Sequence, residues 1–150
     1  MAELLVTGGA GFIGANFVRH WRATRPDDTI CVLDLITYAG NPANLAGLDG
    51  VELVVGDIRD TALVEKLLRE RRIDWLVHFA AETHVDRSIT GPDAFISTNV
   101  EGTHSLLKAA QQVWLEAGSG RPHRFHHVST DEVYGSLGPA DPAFTETTPY

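Results

Sequence analysis

The stretch VTGGAGFIGANF (6–17) constrains this chain more than any other. It joins a short apolar run, ELLVT (3–7), to Ile13, Phe17 and Trp21 at helical spacing, so its closely spaced glycines fall where a strand gives way to a helix. Gly9, Gly11 and Gly14 satisfy G-x-G-x-x-G, and Gly8, Gly11 and Gly14 satisfy G-x-x-G-x-x-G. Glycines at such a junction permit a tight turn, let a pyrophosphate approach the backbone, and let the helix pack on the strand. The pyrophosphate would rest on the free amides of the helix start, near Phe12 and Ile13. A glycine pattern alone is often only a turn; here the strand before it and the helix after it are both present.

The same alternation continues along the chain. ICVLD (30–34), VELVV (51–55), WLVHFA (75–80) and RFHHVS (124–129) read as further strands, short, β-branched or aromatic, and bounded by turn residues. Between them, Leu63, Val64, Leu67 and Leu68 form one helical stripe, and Leu106, Leu107, Ala110, Val113 and Trp114 another. No helix fits between the second and third strands, where AGNPANLAGLDG (39–50) reads as a loop long enough to face a ligand; EAGSGRPH (116–123) reads as a second loop. Strands apolar on both faces and alternating with helices predict an α/β fold, a doubly wound Rossmann-type parallel sheet with helices on both faces. Ligands of such sheets bind beyond the carboxyl ends of the strands.

Asp34 stands at the end of the second strand, twenty residues after Gly14. A carboxylate there can accept from both adenosine ribose hydroxyls and would repel a 2′-phosphate, which predicts NAD rather than NADP. Asp57, in GDIRD at the end of the third strand, fits two readings: it accepts from the adenine amino group while Ile58 packs on the ring, or it caps the following helix. Ala80 and Ala81 end the fourth strand with small side chains, suited to a cofactor and equally to helix–sheet packing.

Composition bounds the partners. At 150 residues the chain is a single domain by length, and its net charge of −8 argues against nucleic acid or an anionic membrane as a partner. Cys31, the only cysteine, sits inside a strand and reads as a packing residue; with no internal disulfide possible, the cytoplasm is the expected compartment. MAELLVTGGAG lacks the basic and apolar regions of a signal peptide, and no apolar run approaches bilayer-spanning length. The histidines show no ligand spacing, so no metal is expected.

HVSTDEVYG (127–135) sets Asp131 and Glu132 side by side where the fifth strand gives out. Ser129-Thr130-Asp131-Glu132 reads as a capping box, with Ser129 at the N-cap and Glu132 reaching back to its amide. It reads equally as an acid and a base serving one reaction. Adjacent strand residues face opposite sides, so both carboxylates reach one substrate only if the chain has already turned.

TGGAGFIG, TYAGN, GDIRD, FAAETHVDRSI, TNVEGT and STDEVYG, in this order over nearly the whole chain, resemble the extended short-chain dehydrogenase/reductase superfamily and, within it, the dTDP-glucose 4,6-dehydratase family. HVDRSI and the Asp-Glu pair are the narrow motifs, since related epimerases usually carry small residues or serine at 131 and 132. The resemblance implies NAD contacts at Phe12, Ile13, Asp34, Leu35, Ile36, Thr37, Asp57, Ile58, Ala80, Ala81 and Thr98, with Gly8, Gly11 and Gly14 forming the turn. It places Thr83 and Thr130 beside the hexose of a nucleoside-diphosphate sugar; members often have serine where this chain has Thr83. It makes Asn99 a residue that holds strand and helix together or positions water or a proton, and sets His84 and Arg87 at the site or on its polar rim.

The implied reaction oxidises sugar carbon 4, eliminates water across carbons 5 and 6, and re-reduces carbon 6. Glu132 is then the base at carbon 5 and Asp131 the acid at the carbon 6 oxygen, with Thr130 alongside. The family's Tyr-x-x-x-Lys pair has no match: neither Lys66 nor Lys108 lies four residues after a tyrosine. The chain is therefore expected to be the NAD-binding part of a longer homodimeric lyase, lacking the later strands, the Tyr-x-x-x-Lys helix and the substrate domain, inactive alone and with an uncovered apolar sheet face. A sugar-nucleotide epimerase or decarboxylase, or a non-catalytic dinucleotide sensor, are the alternatives.

Overall fold

The computed structural model describes residues 1–118 and 120–150. Strands β1 (Glu3–Thr7), β2 (Thr29–Asp34), β3 (Val51–Val55), β4 (Trp75–His78) and β5 (Arg124–His127) form one sheet in the order β3-β2-β1-β4-β5. Every neighbouring pair is parallel. The chain builds outward from β1 to β3 and then returns to β4, so the switch in direction lies between β1 and β4. That is where such a sheet opens a crevice at its carboxyl edge.

Both faces are covered, as the two-sided apolar strands require. Helix α1 (Phe12–Thr24) sets Ala15 and Val18 on Leu4, Val6, Ile30, Val32 and Val77. On the other face, α2 (Thr61–Glu70) and a long helical segment (93–116) close over Leu5, Leu33 and Leu76 through Val64, Leu68, Leu106 and Trp114. Short helix α3 (Val85–Thr90) buries nothing. Cys31 packs within the second face, where burial above all, with Glu52 nearby, pushes its thiol up to about 11; it is a packing residue, as its strand position predicts.

On the α1 face the helix reaches β4, where Phe17 and Trp21 meet Phe79 and Trp75 at ring-centre distances of 5.2 and 5.5 Å, and β5 lies beyond it. The expectation of a bare apolar surface there needs correction: the outward side chains of β5 include Arg124 and His126, and Arg124 lies over the Trp75 ring, 4.8 Å from its centre. Exposed apolar residues gather instead on the outer side of the long helix, at Ile96, Val100, Leu107 and Leu115. The loop expected over 116–123 includes Ser119, which lies outside the described residues.

Strand ends differ slightly from those expected. β4 stops at His78 rather than Ala80, because the Ala80 amide turns to the Thr7 hydroxyl (3.4 Å) instead of a strand carbonyl. β5 stops at His127 rather than Ser129. Asp60, not Asp57, caps α2, its carboxylate accepting from the Leu63 amide at 3.0 Å. Among the described residues no helix is long and apolar enough to cross a membrane.

Candidate active site

The glycine turn lies on the crevice. Gly8 has φ +69, and a Cβ there would fall 2.6 Å from the Ala80 amide nitrogen, so β4's exit lies directly against it. Gly14 faces the opposite constraint: its Cβ would meet the Gly8 carbonyl oxygen at 2.2 Å. Gly11 differs, having ordinary φ −76 and no closer neighbour than the Gly8 carbonyl oxygen at 3.3 Å. Its missing side chain leaves a cradle at the start of α1, bordered by the carbonyl oxygens of Gly8 and, at 3.9 Å, Ala39. No side chain caps α1 and no acid lies in its first turn, so its amides keep their positive end for an anion. Phe12 and Ile13 are 84% and 65% exposed, an unusual state for large apolar residues and one that suits a covering ligand. The turn therefore fits a dinucleotide pyrophosphate.

Asp34 organises this cradle from within. One carboxylate oxygen accepts from the Ala10 amide (2.9 Å), the other from the Ile36 amide (2.9 Å). Each oxygen keeps a further lone pair, which is what a ribose diol would use. Sequence reasoning identified the acid but not its grip on the glycine turn. After it, Leu35 and Thr37 are exposed, whereas Ile36 turns inward onto the core with φ +55. A β-branched residue in the left-handed region is costly, so the loop geometry here is imposed by its surroundings. The 39–50 loop holds one such constraint, since the Asn41 amide and the Asn44 side chain both donate to the Ala10 carbonyl, at 3.0 and 2.9 Å.

Asp57 is gripped by its neighbour Arg59, whose Nε and guanidinium reach both carboxylate oxygens, the closest contact being 2.5 Å. The Arg59 hydrogen bonds hold the Asp57 carboxyl below the usual carboxylate range, against the smaller effect of its partial burial. Arg59 also reaches the Ser97 hydroxyl, next to half-buried Thr98. Ile58 is 6% exposed and packs in the core against Gly102, so its side chain does not present itself to an adenine ring; only its backbone is left for that role.

Beyond β4, Ala80 is half-buried and Ala81, Thr83, His84 and Arg87 are exposed. Asn99 holds this segment, its side chain accepting from the Glu82 amide (2.8 Å) and donating to the Glu82 carbonyl (2.9 Å). With both ends of its amide occupied, Asn99 ties helix to strand exit, the first of its two expected roles. Arg87 lies over the Tyr38 ring, 3.9 Å from its centre, while the Tyr38 hydroxyl donates to Glu82 at 3.0 Å. The loops after β2 and β4 are thereby bridged, a contact the sequence offered no signal for.

Past β5, Asp131–Tyr134 forms a single 3₁₀ turn. The capping box is not formed. Thr130, not Ser129, is the N-cap, and its hydroxyl accepts from the Glu132 amide at 3.3 Å, so Glu132 does not reach back. Gly135, at φ 92, ends the turn in a conformation open to glycine alone. Thr130, Asp131 and Glu132 all project from this turn into solvent. The chain has thus left the strand direction by the time it reaches the two neighbouring carboxylates. Among the described residues, no group of three or more His, Cys, Asp or Glu comes together to hold a metal.

Comparison with known proteins narrows the chemistry. Residues 5–150 match the family model described as GDP-mannose 4,6 dehydratase. The chain is 54% identical to the dTDP-glucose 4,6-dehydratase of Xanthomonas campestris pv. campestris (strain B100), an alignment covering 100% of this chain and 43% of that protein. Among solved structures, DesIV, a dTDP-glucose 4,6-dehydratase from Streptomyces venezuelae with NAD and TYD bound, superposes with a TM-score of 0.84 at 51% identity, over 98% of this chain and 44% of that one. The UDP-Glc/GlcNAc 4-epimerase of Campylobacter jejuni superposes nearly as well, with a TM-score of 0.82, but at 30% identity, over 99% of this chain and 43% of that one. Shape alone does not separate dehydratase from epimerase here; sequence does. The chain spans less than half the length of these relatives.

Proposed function

Since the chain belongs to the GDP-mannose 4,6 dehydratase family, we propose that it is the NAD-binding and acid–base part of a nucleoside-diphosphate-hexose 4,6-dehydratase acting on dTDP-glucose. The observation that carries this reading is the position of Asp131 and Glu132 on the turn leaving β5, at the same carboxyl edge of the sheet as the glycine turn after β1 and Ala80 after β4. The choice of dTDP-glucose is supported by the identity to enzymes bearing that activity and not by any base-reading residue in this chain.

In this reading, Gly8, Gly11, Gly14 and the amides of Phe12 and Ile13 hold the pyrophosphate. Asp34 takes the adenosine ribose, with Leu35 and Thr37 beside it, Asp57 and the Ile58 backbone take the adenine, and Ala80, Ala81 and Thr98 line the path to the nicotinamide. Bound NAD supplies a hydride acceptor for sugar carbon 4 and a hydride donor for carbon 6. Once carbon 4 is a ketone, Glu132 removes the acidified proton from carbon 5. The electron pair forms the carbon 5–carbon 6 double bond, the bond to the carbon 6 oxygen breaks, and Asp131 gives that oxygen the proton with which it leaves as water. Thr83 and Thr130 hold the hexose hydroxyls. The Tyr-x-x-x-Lys pair for the first oxidation would come from outside these residues, as would the homodimer partner's share of the fold; the apolar outer side of the long helix suits such an association.

An epimerase of the same fold is the second reading, favoured by the near-equal superposition. Its weakness is Asp131-Glu132, for which epimerisation at carbon 4 has no use. The deciding experiment incubates the full-length natural protein with NAD and dTDP-glucose and weighs the product. Loss of one water supports the dehydratase; a product of unchanged mass and altered stereochemistry would replace it with the epimerase, and NAD binding without turnover with the sensor.

A further inference from the structure

Among the described residues His78 is the one histidine inside the core, 1% exposed and in register with Thr7 across β1 and β4. Its two ring nitrogens meet two hydroxyls: Nδ1 lies 2.7 Å from Thr7 Oγ1, and Nε2 lies 3.0 Å from Thr103 Oγ1. The surrounding contacts fix the direction of every proton in this chain. Thr103 donates its only hydroxyl proton to the Asn99 carbonyl at 2.7 Å, so toward His78 it can only accept, and Nε2 must carry the ring proton. A neutral ring then has a bare Nδ1, which accepts from the Thr7 hydroxyl. Thr7 Oγ1 in turn accepts from the Ala80 amide at 3.4 Å. Burial, and secondarily His127 alongside, keep the ring neutral by pushing its pKa down to about 4.

The elements so joined are the walls of the candidate cleft. Thr7 immediately precedes Gly8; Ala80 lies against Gly8; Thr103 and Asn99 belong to the long helix, whose Ile96–Gly102 stretch is wound as a π-helix and carries Thr98. From Asn99 the connection returns to the strand exit at Glu82. π-Helical turns inside α-helices occur often at functional sites, and here the widened turn is pinned by a side chain rather than by packing alone.

We propose that His78, with its single proton on Nε2, is the positioning residue of the dinucleotide cleft, fixing the Ala80–Glu82 exit of β4 between the glycine turn and the Thr98–Asn99 turn of the long helix. The inference rests on the reading that this cleft takes NAD. His78 touches no reacting atom in this role; it sets the spacing of those residues that face the cofactor.

The test uses the full-length natural protein, with NAD itself as the probe. Ring ¹⁵N spectra of the parent should show a pyrrole-type Nε2 and a pyridine-type Nδ1 for His78. Thr7→Val and Thr103→Val each strand one ring nitrogen and should weaken NAD binding by about tenfold or more, measured calorimetrically on folded protein. Thr7→Ser and Thr103→Ser restore the hydroxyl and should bind within about threefold of the parent. Thr103→Val should also disturb the tautomer signature, which a purely space-filling role would leave alone. A parent ring protonated at Nδ1, or valine variants that bind NAD like the parent, would overturn the inference and leave the cofactor reading standing. A parent that binds no NAD would overturn both.

Discussion

Gly14 and Gly8 face each other across the start of α1 so closely that a methyl group on Gly14 would sit 2.2 Å from the Gly8 carbonyl oxygen. The atoms it would strike are backbone, including Gly9 Cα at 2.8 Å, so no side chain can swing aside. Gly14→Ala should therefore destabilise the fold by ~1–3 kcal/mol through overpacking and spoil the turn. Gly11→Ala would set its methyl 3.3 Å from the Gly8 carbonyl oxygen, tight but far milder than at Gly14, and its stability change should be about 1 kcal/mol. Its methyl would nevertheless fill the cradle, so NAD affinity should fall without loss of fold. Thermal unfolding and NAD titration of both variants separate the two; equal losses of stability would refute this division between packing and binding glycine.

His78 gives a pH signature. Its folded pKa of about 4 lies below the ordinary 6.5, because burial and then His127 disfavour the cation. An unfolded chain binds the proton more readily, so the stability tied to neutral His78 is complete above pH ~6.5 and is lost as pH falls toward about 4, where the loss stops. The shift corresponds to ~3 kcal/mol at most. Urea unfolding at steps between these values should show the decline in the parent and a flatter profile in His78→Gln. A parent profile as flat as the variant's would mean that the ring is not held neutral by the fold.

How much of this was legible beforehand depends on whether the signal was local. The β1–glycine turn–α1 junction and Asp34 were readable because strand, turn and helix each carry their own residue pattern, and all were found as expected. The π-helical stretches at Ile96–Gly102 and Gln111–Glu116 were not, since one extra residue per turn leaves the apolar stripe nearly intact. The capping box failed by one position: Ser129 and Thr130 are both good caps, and only tertiary placement picks Thr130. Ile58 illustrates the reverse error. An apolar residue beside an aspartate at a strand end looks like a ring platform until the long helix is seen to pack Gly102 onto it. His78 drew no notice because a lone histidine in an apolar strand says nothing about which hydroxyls its ring will meet.

Arg59 and Asp57 offer a readout at the far end of the proposed cofactor. Arg59 holds the Asp57 carboxyl below its ordinary range through hydrogen bonds, and its own guanidinium is raised in return. Arg59→Met should bring the Asp57 titration, followed by carboxyl ¹³C shifts, back up toward ordinary values. The backbone amide of residue 59 still donates to one Asp57 oxygen at 2.8 Å, so only the side-chain contacts are lost, and NAD binding should weaken by about tenfold, on the order of a lost charged hydrogen bond. A titration that does not move would show that Asp57 is organised by something other than Arg59.

The most direct test of the proposed chemistry lies at the turn after β5. Glu132→Gln keeps the size and hydrogen-bonding reach of the side chain, and the turn itself depends on Thr130 and Gly135 rather than on the Glu132 carboxylate, so the fold should be unaffected. What it loses is the capacity to take a proton. In the full-length protein, elimination should slow by ~10²-fold or more, while oxidation at carbon 4 continues. Reduced cofactor should then accumulate on mixing with dTDP-glucose, because the step that consumes it waits on the elimination. Asp131→Asn removes the acid and should slow the departure of the carbon 6 oxygen, with solvent exchange of the carbon 5 proton persisting because Glu132 is intact. If both variants release product at the parental rate, the two carboxylates are no more than part of an exposed turn.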